Sequence, residues 1–530
     1  MKKLLIIISI IIVASCGETN YVEPSPKIPI SCKNQNAIEF YNKAELKKSR
    51  GDIIGSISDY KAALRIDPSF FMAALHIPIT DNYLKSNYLK AATSNIENLT
   101  PSERLLFKIY KSNSNEEKRE FAKQLVELNN NSSEAKFVLA STYGSYGYPG
   151  AGGIKILKDI LENDPTFYDA SRRLFNTQYP RFNWIYQKEI SKSKDSINLL
   201  LTRIDNLINL DTLNPAIYRQ FGDVFRGIDP KKTKEFYSKG LDICNLQGNS
   251  YRSELLLALS YADFLLGNTS EMYSGLDEVI EIEFEPLLKV KRYFQYANMC
   301  LADGDFKKAI DKLNVLENEL YQFGLDDKNI NQVLVSINYS KSIIYSLLNE
   351  PLNSTNSLNS YLKESDLLLK NIPNLDNSYI SNRNNELQGI GIVGGLDDRL
   401  IEGRKSNQIR NIIFINILNK NVKYSRNYIS SLEKGELTPR EVLFFNDLTN
   451  YKTKKYTSVI KSFQENSELI SAGQIDGYFR QWHNYIYGIS LYENGKIKES
   501  KDALYGFANS TGFNFNNVKF KKRAKEIWNE

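Results

Sequence analysis

A recurring order of residues around a glycine turn limits what this chain can fold into more than any other feature of its sequence. The clearest copy spans 37–68 and has a small residue in its first half, a Gly-Asp turn, an apolar face and a proline stop. Its signature residues are Phe40, Ala44, Gly51, Asp52, Tyr60, Ala63, Leu64 and Pro68. This spacing predicts two helices joined by a tight turn.

The same order returns at 290–316, where Tyr293 and Ala297 precede Gly304-Asp305 and apolar residues follow at helical spacing. Weaker or degenerate copies occupy much of the remaining chain, at 99–128, 134–165, 184–214, 218–237, 256–276, 325–370, 439–466 and 487–504. A helical hairpin of about 34 residues cannot bury its apolar face alone, so successive copies must stack into one continuous core.

These residues resemble the tetratricopeptide repeat (TPR) family. The resemblance implies an all-α fold, a TPR-like solenoid of helical hairpins wound as a right-handed superhelix, with partly degenerate repeats. Members of the family usually hold a peptide or a helix of another protein in a groove lined by the first helix of each repeat. A protein or peptide partner in the groove is therefore expected, and the resemblance brings neither a catalytic residue nor a cofactor.

The N-terminal segment predicts export and membrane attachment. Two lysines precede an apolar run that is too short to cross a bilayer but suits the h-region of a signal peptide. Val13-Ala14-Ser15 before Cys16 resembles a bacterial lipoprotein lipobox, which implies cleavage before Cys16 and its modification with palmitate-type acyl chains. Gly17-Glu18 carries no aspartate directly after the cysteine, and this favours the outer membrane, with the body facing the periplasm or the cell surface. An uncleaved anchor and a simple secretory signal are the alternatives.

The patterns divide the chain into five segments. These are a signal peptide (1–15), a lipidated cysteine with an extended tether (16–36), a TPR-like solenoid (37–370), a Gly/Asn-rich interruption or hinge (371–404) and a C-terminal TPR-like segment (405–530). The interruption contains the pattern GxGxxG. No strand pattern precedes it, so a hinge is favoured over a phosphate-binding loop.

Charge and cysteine usage exclude some classes of function. The formal net charge of +6 includes the two lysines before Cys16, so the chain from Cys16 onward carries 6 − 2 = +4, too little to predict nucleic-acid binding. Cys32, Cys244 and Cys300 show neither a CxxC pair nor regular spacing. A disulfide framework is not indicated, and we expect Cys244 and Cys300, which lie among apolar residues, to fill the core, although one bridge in an oxidising compartment is left open.

The sequence predicts no enzyme and no metal site. The two histidines, His76 and His483, are far apart, and neither lies in an HExxH motif. A GxSxG nucleophile elbow is absent as well. We interpret His76 as an ordinary residue of a helix face.

Aromatic residues form the candidate binding surface. Tyr143, Tyr146 and Tyr148 alternate with glycines where a short turn is expected, an arrangement suited to stacking on a sugar ring or a partner side chain. Trp482 belongs to an aromatic cluster on one helix face, and Tyr293 lies in the first helix of the unit at 290–316. Ordinary packing of a widened turn or of a repeat core is the favoured alternative for the tyrosine loop and for the Trp482 cluster.

Two classes of function follow. The first is a membrane-anchored envelope lipoprotein that acts as a TPR interaction scaffold. The second is a surface glycan-binding lipoprotein similar to the SusD family, which would bind oligosaccharide through loops and aromatic residues. The presence of only three tryptophans in the chain counts against the second class.

Overall fold

The computed structural model describes residues 25–79, 82–144, 149–179, 189–371, 400–433, 435–471, 477–509 and 515–530. Within these ranges the regular secondary structure is entirely helical. The α-helices are α1 (Gln35–Ser49), α2 (Ile53–Ile66), α3 (Phe71–His76), α4 (Asn82–Ala92), α5 (Pro101–Lys111), α6 (Asn115–Leu128), α7 (Ser133–Ser141), α8 (Ala151–Asn163), α9 (Tyr168–Gln178), α10 (Lys194–Leu210), α11 (Pro215–Phe225), α12 (Pro230–Gln247), α13 (Arg252–Leu266), α14 (Thr269–Ile282), α15 (Pro286–Asp303), α16 (Phe306–Glu319), α17 (Asp327–Leu347), α18 (Pro351–Asn371), α19 (Leu400–Leu418), α20 (Val422–Ser431), α21 (Pro439–Lys452), α22 (Tyr456–Glu465), α23 (Ser467–Ser471), α24 (Gly477–Glu493), α25 (Ile497–Asn509) and α26 (Phe515–Asn529).

The predicted hairpin at 37–68 is the pair α1–α2. Gly51 has a φ of 85°, a left-handed conformation that glycine adopts without strain and that ends α1 sharply. Asp52 then caps α2, because its carboxylate accepts a hydrogen bond of 2.9 Å from the backbone amide of Gly55. The small Ala44 is fully buried between the helices, as is Tyr60. The turn and the contact predicted from the sequence are both confirmed.

The unit at 290–316 repeats this construction as α15–α16. Gly304 ends α15 with a φ of 85°, and the Asp305 carboxylate accepts a hydrogen bond of 3.0 Å from the Lys308 amide. The helix pairs of the other units pack in the same way, and each hairpin contacts the next one along the chain. This arrangement confirms the all-α class and the TPR-like solenoid of helical hairpins. No described helix combines the length and the apolar character that crossing a bilayer requires.

The helices on either side of the predicted interruption share one core. Asn411 on α19 donates a hydrogen bond of 2.8 Å to the Tyr361 hydroxyl on α18, and Asn419 donates one of 3.0 Å to Ser354. Residues of α17, α18, α19, α21 and α24 belong to the same buried apolar cluster. The helices that precede and follow the interruption therefore pack together, while most of the interruption itself lies outside the described residues.

The tip of the first hairpin contacts the middle of the chain. Arg50 forms an ion pair of 2.8 Å with Asp211, and Ser250 donates a hydrogen bond of 2.5 Å to Asp52. The Tyr251 ring lies directly against Gly51. The tip of α1–α2 thus rests on the junctions that lead into α11 and α13.

The last helix also returns to the middle of the chain, where α26 packs on α15 as well as on α24 and α25. Its buried face consists of Phe520, Ala524 and Ile527, and the Lys522 side chain lies against Gly304 at the tip of α15–α16. Both ends of the described chain therefore contact the central hairpins.

Residues 25–34 carry no helix and are packed along the first hairpins. The Ile28 amide donates a hydrogen bond of 3.0 Å to the Glu134 carboxylate on α7. Thr100 donates another of 3.0 Å to the Pro29 carbonyl, and the Ile28 side chain is buried. Part of the predicted tether is therefore extended but held on the solenoid. Cys16 lies outside the described residues.

Close packing within the hairpins predicts that alanine substitutions at two helical glycines change the stability of the fold in opposite directions. A Cβ at Gly222 on α11 would lie 2.1 Å from Cε1 of the fully buried Tyr237, so Gly222→Ala should lower stability by about 2–3 kcal/mol. A Cβ at Gly506 on α25 would meet open space, so Gly506→Ala should raise stability by up to about 1 kcal/mol. Denaturant midpoints followed by circular dichroism compare the two variants. Equal effects of both substitutions would contradict this packing.

Candidate functional site

The first helices of the central hairpins do not line an open groove. In α17 every residue from 332 to 344 is buried, and in α15 every residue from 296 to 302 is buried. A helix that is buried all round has no face left for a ligand. The groove expected from the resemblance is therefore closed along this part of the chain.

The interior of the central hairpins instead holds paired charges. Asp223 on α11 accepts hydrogen bonds or ion pairs from Arg219 (3.1 Å), Arg226 (2.7 Å) and the Tyr237 hydroxyl (2.7 Å). On α13 and α15, Glu254 pairs with Arg292 at 2.9 Å. These groups satisfy one another, which is the condition for keeping charged side chains inside a protein.

The charge network has a consequence for the protonation of Glu254. Burial by itself raises the pKa of its carboxyl, but Arg292, Lys291 and Arg219 outweigh burial and hold the pKa at about 2. Glu254 therefore stays ionised, and it accepts contacts from cations on α11 and α15. The network stabilises the stack of hairpins. Asp223 is fully paired within it and has no access to solvent.

A second polar cluster is partly exposed on the first helices of the N-terminal hairpins. The Glu45 carboxylate on α1 lies 2.9 Å from Nδ1 of His76 on α3 and 2.9 Å from the Lys48 ammonium group. The Tyr60 hydroxyl donates a short hydrogen bond to the same carboxylate oxygen, and the Tyr41 hydroxyl lies 3.1 Å from His76 Nδ1. Three titratable side chains, from α1, α2 and α3, therefore meet at the Glu45 carboxylate, and Tyr41 contacts one of them.

The electrostatics of this cluster favour the ionised carboxylate. Burial raises the pKa of Glu45, but the hydrogen bond and charge of His76, the charge of Lys48 and the Tyr60 hydroxyl together lower it to about 2. Burial and the neighbouring Glu45 raise the pKa of both tyrosines above the usual range. The ionised Glu45 is therefore surrounded by hydrogen-bond donors from α1, α2 and α3, and it holds these helices together.

Sequence reasoning did not find this cluster. His76 had been interpreted as an ordinary helix-face residue, and its neighbours come from a different hairpin. One signal was present, because Tyr41 and Glu45 are four residues apart and therefore share a face of α1.

The aromatic residues singled out from the sequence lie in different places. The Tyr143 ring is half-buried, with the Arg119 guanidinium 4.4 Å from its centroid, and it fills the space beside Gly152. Tyr146 and Tyr148 lie outside the described residues. Tyr143 covers the edge of its hairpin, which matches the packing alternative for this turn.

Tyr293 and Trp482 are core residues in this structure. Tyr293 is 3% exposed, and its hydroxyl donates a hydrogen bond of 2.6 Å to Glu319. Trp482 is 2% exposed and packs edge-on against Phe414 and Phe520. Because both rings are buried, neither is available to a partner or a sugar. The sequence could not predict this, since helical spacing alone does not distinguish an inward face from an outward one.

The other chemistry-bearing residues are also structural. His483 Nε2 lies 2.8 Å from Asp447, and both side chains are fully buried. Cys32, Cys244 and Cys300 are buried free thiols, which confirms the prediction made for Cys244 and Cys300. Burial raises the pKa of each thiol to about 12, which suppresses the reactive thiolate. Among the described residues, no group of His, Cys, Asp and Glu side chains is placed to hold a metal ion.

Large apolar side chains are exposed at four successive junctions between hairpins. We name this row the apolar edge, and it consists of Leu213 (45% exposed), Leu246 (78%), Phe284 (72%) and Tyr321 (67%). These residues are 33, 38 and 37 positions apart, which is the length of the repeat, so stacking brings their junctions to one side of the solenoid.

Contacts between the junctions support this alignment. The Gln247 side chain donates a hydrogen bond of 2.8 Å to the Leu213 carbonyl, and Arg252 joins Asn245 on α12 to Glu278 on α14. The tips of α11–α12, α13–α14 and α15–α16, on the opposite side, carry none of the exposed large apolar residues.

Comparison with known proteins adds little to these observations. No protein-family model matches the sequence, and no curated protein does. Among solved structures, the crystal structure of the P58(IPK) TPR domain is similar over 81% of this chain and 99% of its own, at 11% identity and a TM-score of 0.19. The structure of Naa15/Naa10 bound to HypK-THB is similar over 93% of this chain and 79% of its own, at 9% identity and a TM-score of 0.20. Scores this low support no argument, and the fold is established by the helices described above.

The Glu45 cluster predicts a specific dependence of stability on pH. The folded-state pKa of about 2 lies below the ordinary value of 4.5, so the ionised Glu45 stabilises the fold above pH 4.5 and loses this effect as the pH falls towards 2. Glu45→Gln keeps an acceptor for Tyr60 but removes the charge, and should cost roughly 1–2 kcal/mol at pH 7.

Denaturant titrations from pH 7 to pH 3 measure this difference. The gap between the wild type and Glu45→Gln should narrow below pH 4.5. The matched control is Glu39→Gln on the same helix, where an exposed pair with Lys43 should contribute little at any pH. A gap that stays constant with pH would show that the charge of Glu45 is not what stabilises this region.

Proposed function

We propose that this chain is a membrane-anchored bacterial envelope lipoprotein that acts as a scaffold for a partner protein. The observation that carries the proposal is the apolar edge on a rigid stack of helical hairpins. Isolated exposed apolar residues are normal on a protein surface, but a repeating row of them is typical of an interaction site. Phe284 and Tyr321 are aromatic, and aromatic side chains often contribute most of the binding energy of an interface.

The partner in this proposal is a helix that carries both apolar and basic residues. Exposed carboxylates precede two members of the row, with Asp242 one helical turn before Leu246 and Glu281 one turn before Phe284. Basic residues of the partner would complement them, which raises the rate and the specificity of association more than the affinity. The buried central first helices are the reason for placing the partner on the edge rather than in the groove.

Membrane attachment in the proposal depends on Cys16. The chain from Cys16 to Ser25, where the described residues begin, has nine steps and reaches at most about 30 Å when fully extended. Ser25 itself accepts a hydrogen bond of 3.2 Å from the Ser133 amide on α7. A lipid on Cys16 would therefore keep the first hairpins close to the membrane surface.

We do not extend the proposal to glycan binding. Of the aromatic residues that the sequence singles out for such a site, Tyr293 and Trp482 are buried and cannot stack on a sugar ring. Nor does the proposal include catalysis: His483 and the three thiols are buried, and the partly exposed His76 is paired with Glu45.

Lipidation at Cys16 can be tested by metabolic labelling with a palmitate analogue in the native cells. The wild type should incorporate the label, and Cys16→Ser should lose it completely because no other lipidation site is proposed. Cys32→Ser, which changes a buried thiol, should keep the label. Label that persists in Cys16→Ser would contradict the proposed anchor.

Partner binding at the edge can be tested with a labelled synthetic helix built from leucine and lysine. Replacing Leu246, Phe284 and Tyr321 by serine should weaken its binding at least about tenfold, because apolar contact area is lost on one side of the interface. A leucine–glutamate helix of the same length should bind weakly to all forms.

The matched control replaces three exposed apolar residues at hairpin tips, Leu352, Tyr424 and Ile497, by serine. This control should bind like the wild type. Crosslinking in whole cells then measures whether one envelope protein crosslinks to the wild type and to the control but no longer to the edge variant. Equal loss in both variants would reject the edge as the docking surface.

A further inference from the structure

The segment that precedes α1 lies along three successive junctions between hairpins. We name residues 25–33 the strap. It runs from the α6–α7 junction past the α4–α5 junction to the α2–α3 junction, in the direction opposite to the order of the hairpins. The strap therefore covers the first three junctions of the solenoid, while the apolar edge occupies later junctions of the same kind.

Hydrogen bonds join the strap to the start of α7. The Ser25 hydroxyl accepts one of 3.2 Å from the Ser133 amide, and the Ile28 amide donates one of 3.0 Å to the Glu134 carboxylate. The Ser133 amide belongs to the first turn of α7 and has no acceptor within its own helix. The strap supplies this acceptor, and another extended segment with a hydroxyl or carbonyl oxygen would satisfy the amide equally well.

The strap cannot become part of a helix or a sheet. Pro26 and Pro29 lack an amide hydrogen, and each restricts the residue before it to extended conformations. The Pro29 carbonyl accepts a hydrogen bond of 3.0 Å from the Thr100 hydroxyl at the start of α5. No hydrogen bond joins the backbone of 25–33 to the backbone of another described residue. The strap is therefore held in the manner of a bound peptide.

Two side chains anchor the strap in the core of the first hairpins. Ile28 (4% exposed) and Cys32 (8%) belong to the buried apolar cluster there. The Cys32 thiol lies beside the Asp67 carboxylate at the α2–α3 junction, while Lys27 and Lys33 are exposed. Burial of the two anchors opposes the conformational entropy that nine ordered residues lose, so the strap is held weakly enough to exchange.

We propose that the strap is an exchangeable ligand within the chain, and that the surface beneath it binds an extended peptide of a partner protein. The partner segment carries an aliphatic residue directly before a proline, as Ile28 stands before Pro29. Its aliphatic side chain replaces that of Ile28, its amide meets Glu134, and its proline carbonyl meets Thr100. Extended proline-containing segments suit such a site because they are already ordered before binding. The proposal depends neither on the apolar edge nor on Cys16.

The test measures binding of a labelled synthetic peptide, with the sequence of residues 25–34, to the full-length chain by fluorescence anisotropy under reducing conditions. Ile28→Asp in the chain places a charge at the buried anchor, which releases the strap and leaves the hairpins unchanged. This variant should bind the peptide at least about tenfold more tightly than the wild type, whose own strap competes for the site. A peptide with the same Ile28→Asp change should bind neither form.

Two further variants test whether the peptide binds at the strap site. Lys27→Gln changes the exposed neighbour of the anchor, so it should bind the peptide like the wild type. Adding Glu134→Ala to Ile28→Asp removes the acceptor for the peptide amide and should weaken binding at least about tenfold. Circular dichroism melts check that each variant is folded. Equal binding by the wild type and Ile28→Asp, or unchanged binding in the double variant, would overturn the proposal.

Hydrogen exchange followed by mass spectrometry measures release of the strap in the wild type. Amides of 25–33 should exchange at least about tenfold faster than those of α1 and α2, because the strap opens while the hairpins stay folded. Equal protection of the strap and the hairpins would contradict exchange. Sedimentation of the wild type tests a second copy of this chain as the occupant. A dimer that Ile28→Asp abolishes would overturn the assignment of the site to a partner protein.

Discussion

The ion pair between Arg50 and Asp211 joins residues 161 positions apart and holds the tip of the first hairpin on the middle of the solenoid. At the other end, α26 packs on α15, so the central hairpins have a neighbour on each side. The first helices of these hairpins are buried along much of their length, and polar residues on them must be paired inside the protein. The Asp223 and Glu254 networks meet this requirement.

The sequence predicted the local features of the fold, namely the turns and the helix caps. Glycine and aspartate at 51–52 and 304–305 set the turn and the cap of each clear hairpin, and these interactions involve residues close together in the chain. Helical periodicity also located most of the degenerate hairpins. The all-α class followed from the repeat, because a unit that cannot bury its own face must stack.

The sequence could not predict what depends on distant contacts. Tyr293 and Trp482 have the spacing of a helix face, but whether that face points outwards depends on elements far away in the chain. The same limit applies to Glu45, whose surroundings include His76 from the next hairpin.

The closed groove also determines where a partner can bind without a rearrangement that loses free energy. Access to the central groove would require α26 to leave α15, which would break the stack of Phe520 on Tyr485 and expose the buried face of that helix. Burying these side chains contributes several kcal/mol, and a partner in the groove would have to replace that free energy. The apolar edge needs no rearrangement, since Phe284 and Tyr321 are already exposed on rigid junctions. Preorganised surfaces lose less free energy on ordering, and this favours the edge as the docking surface in the proposed function.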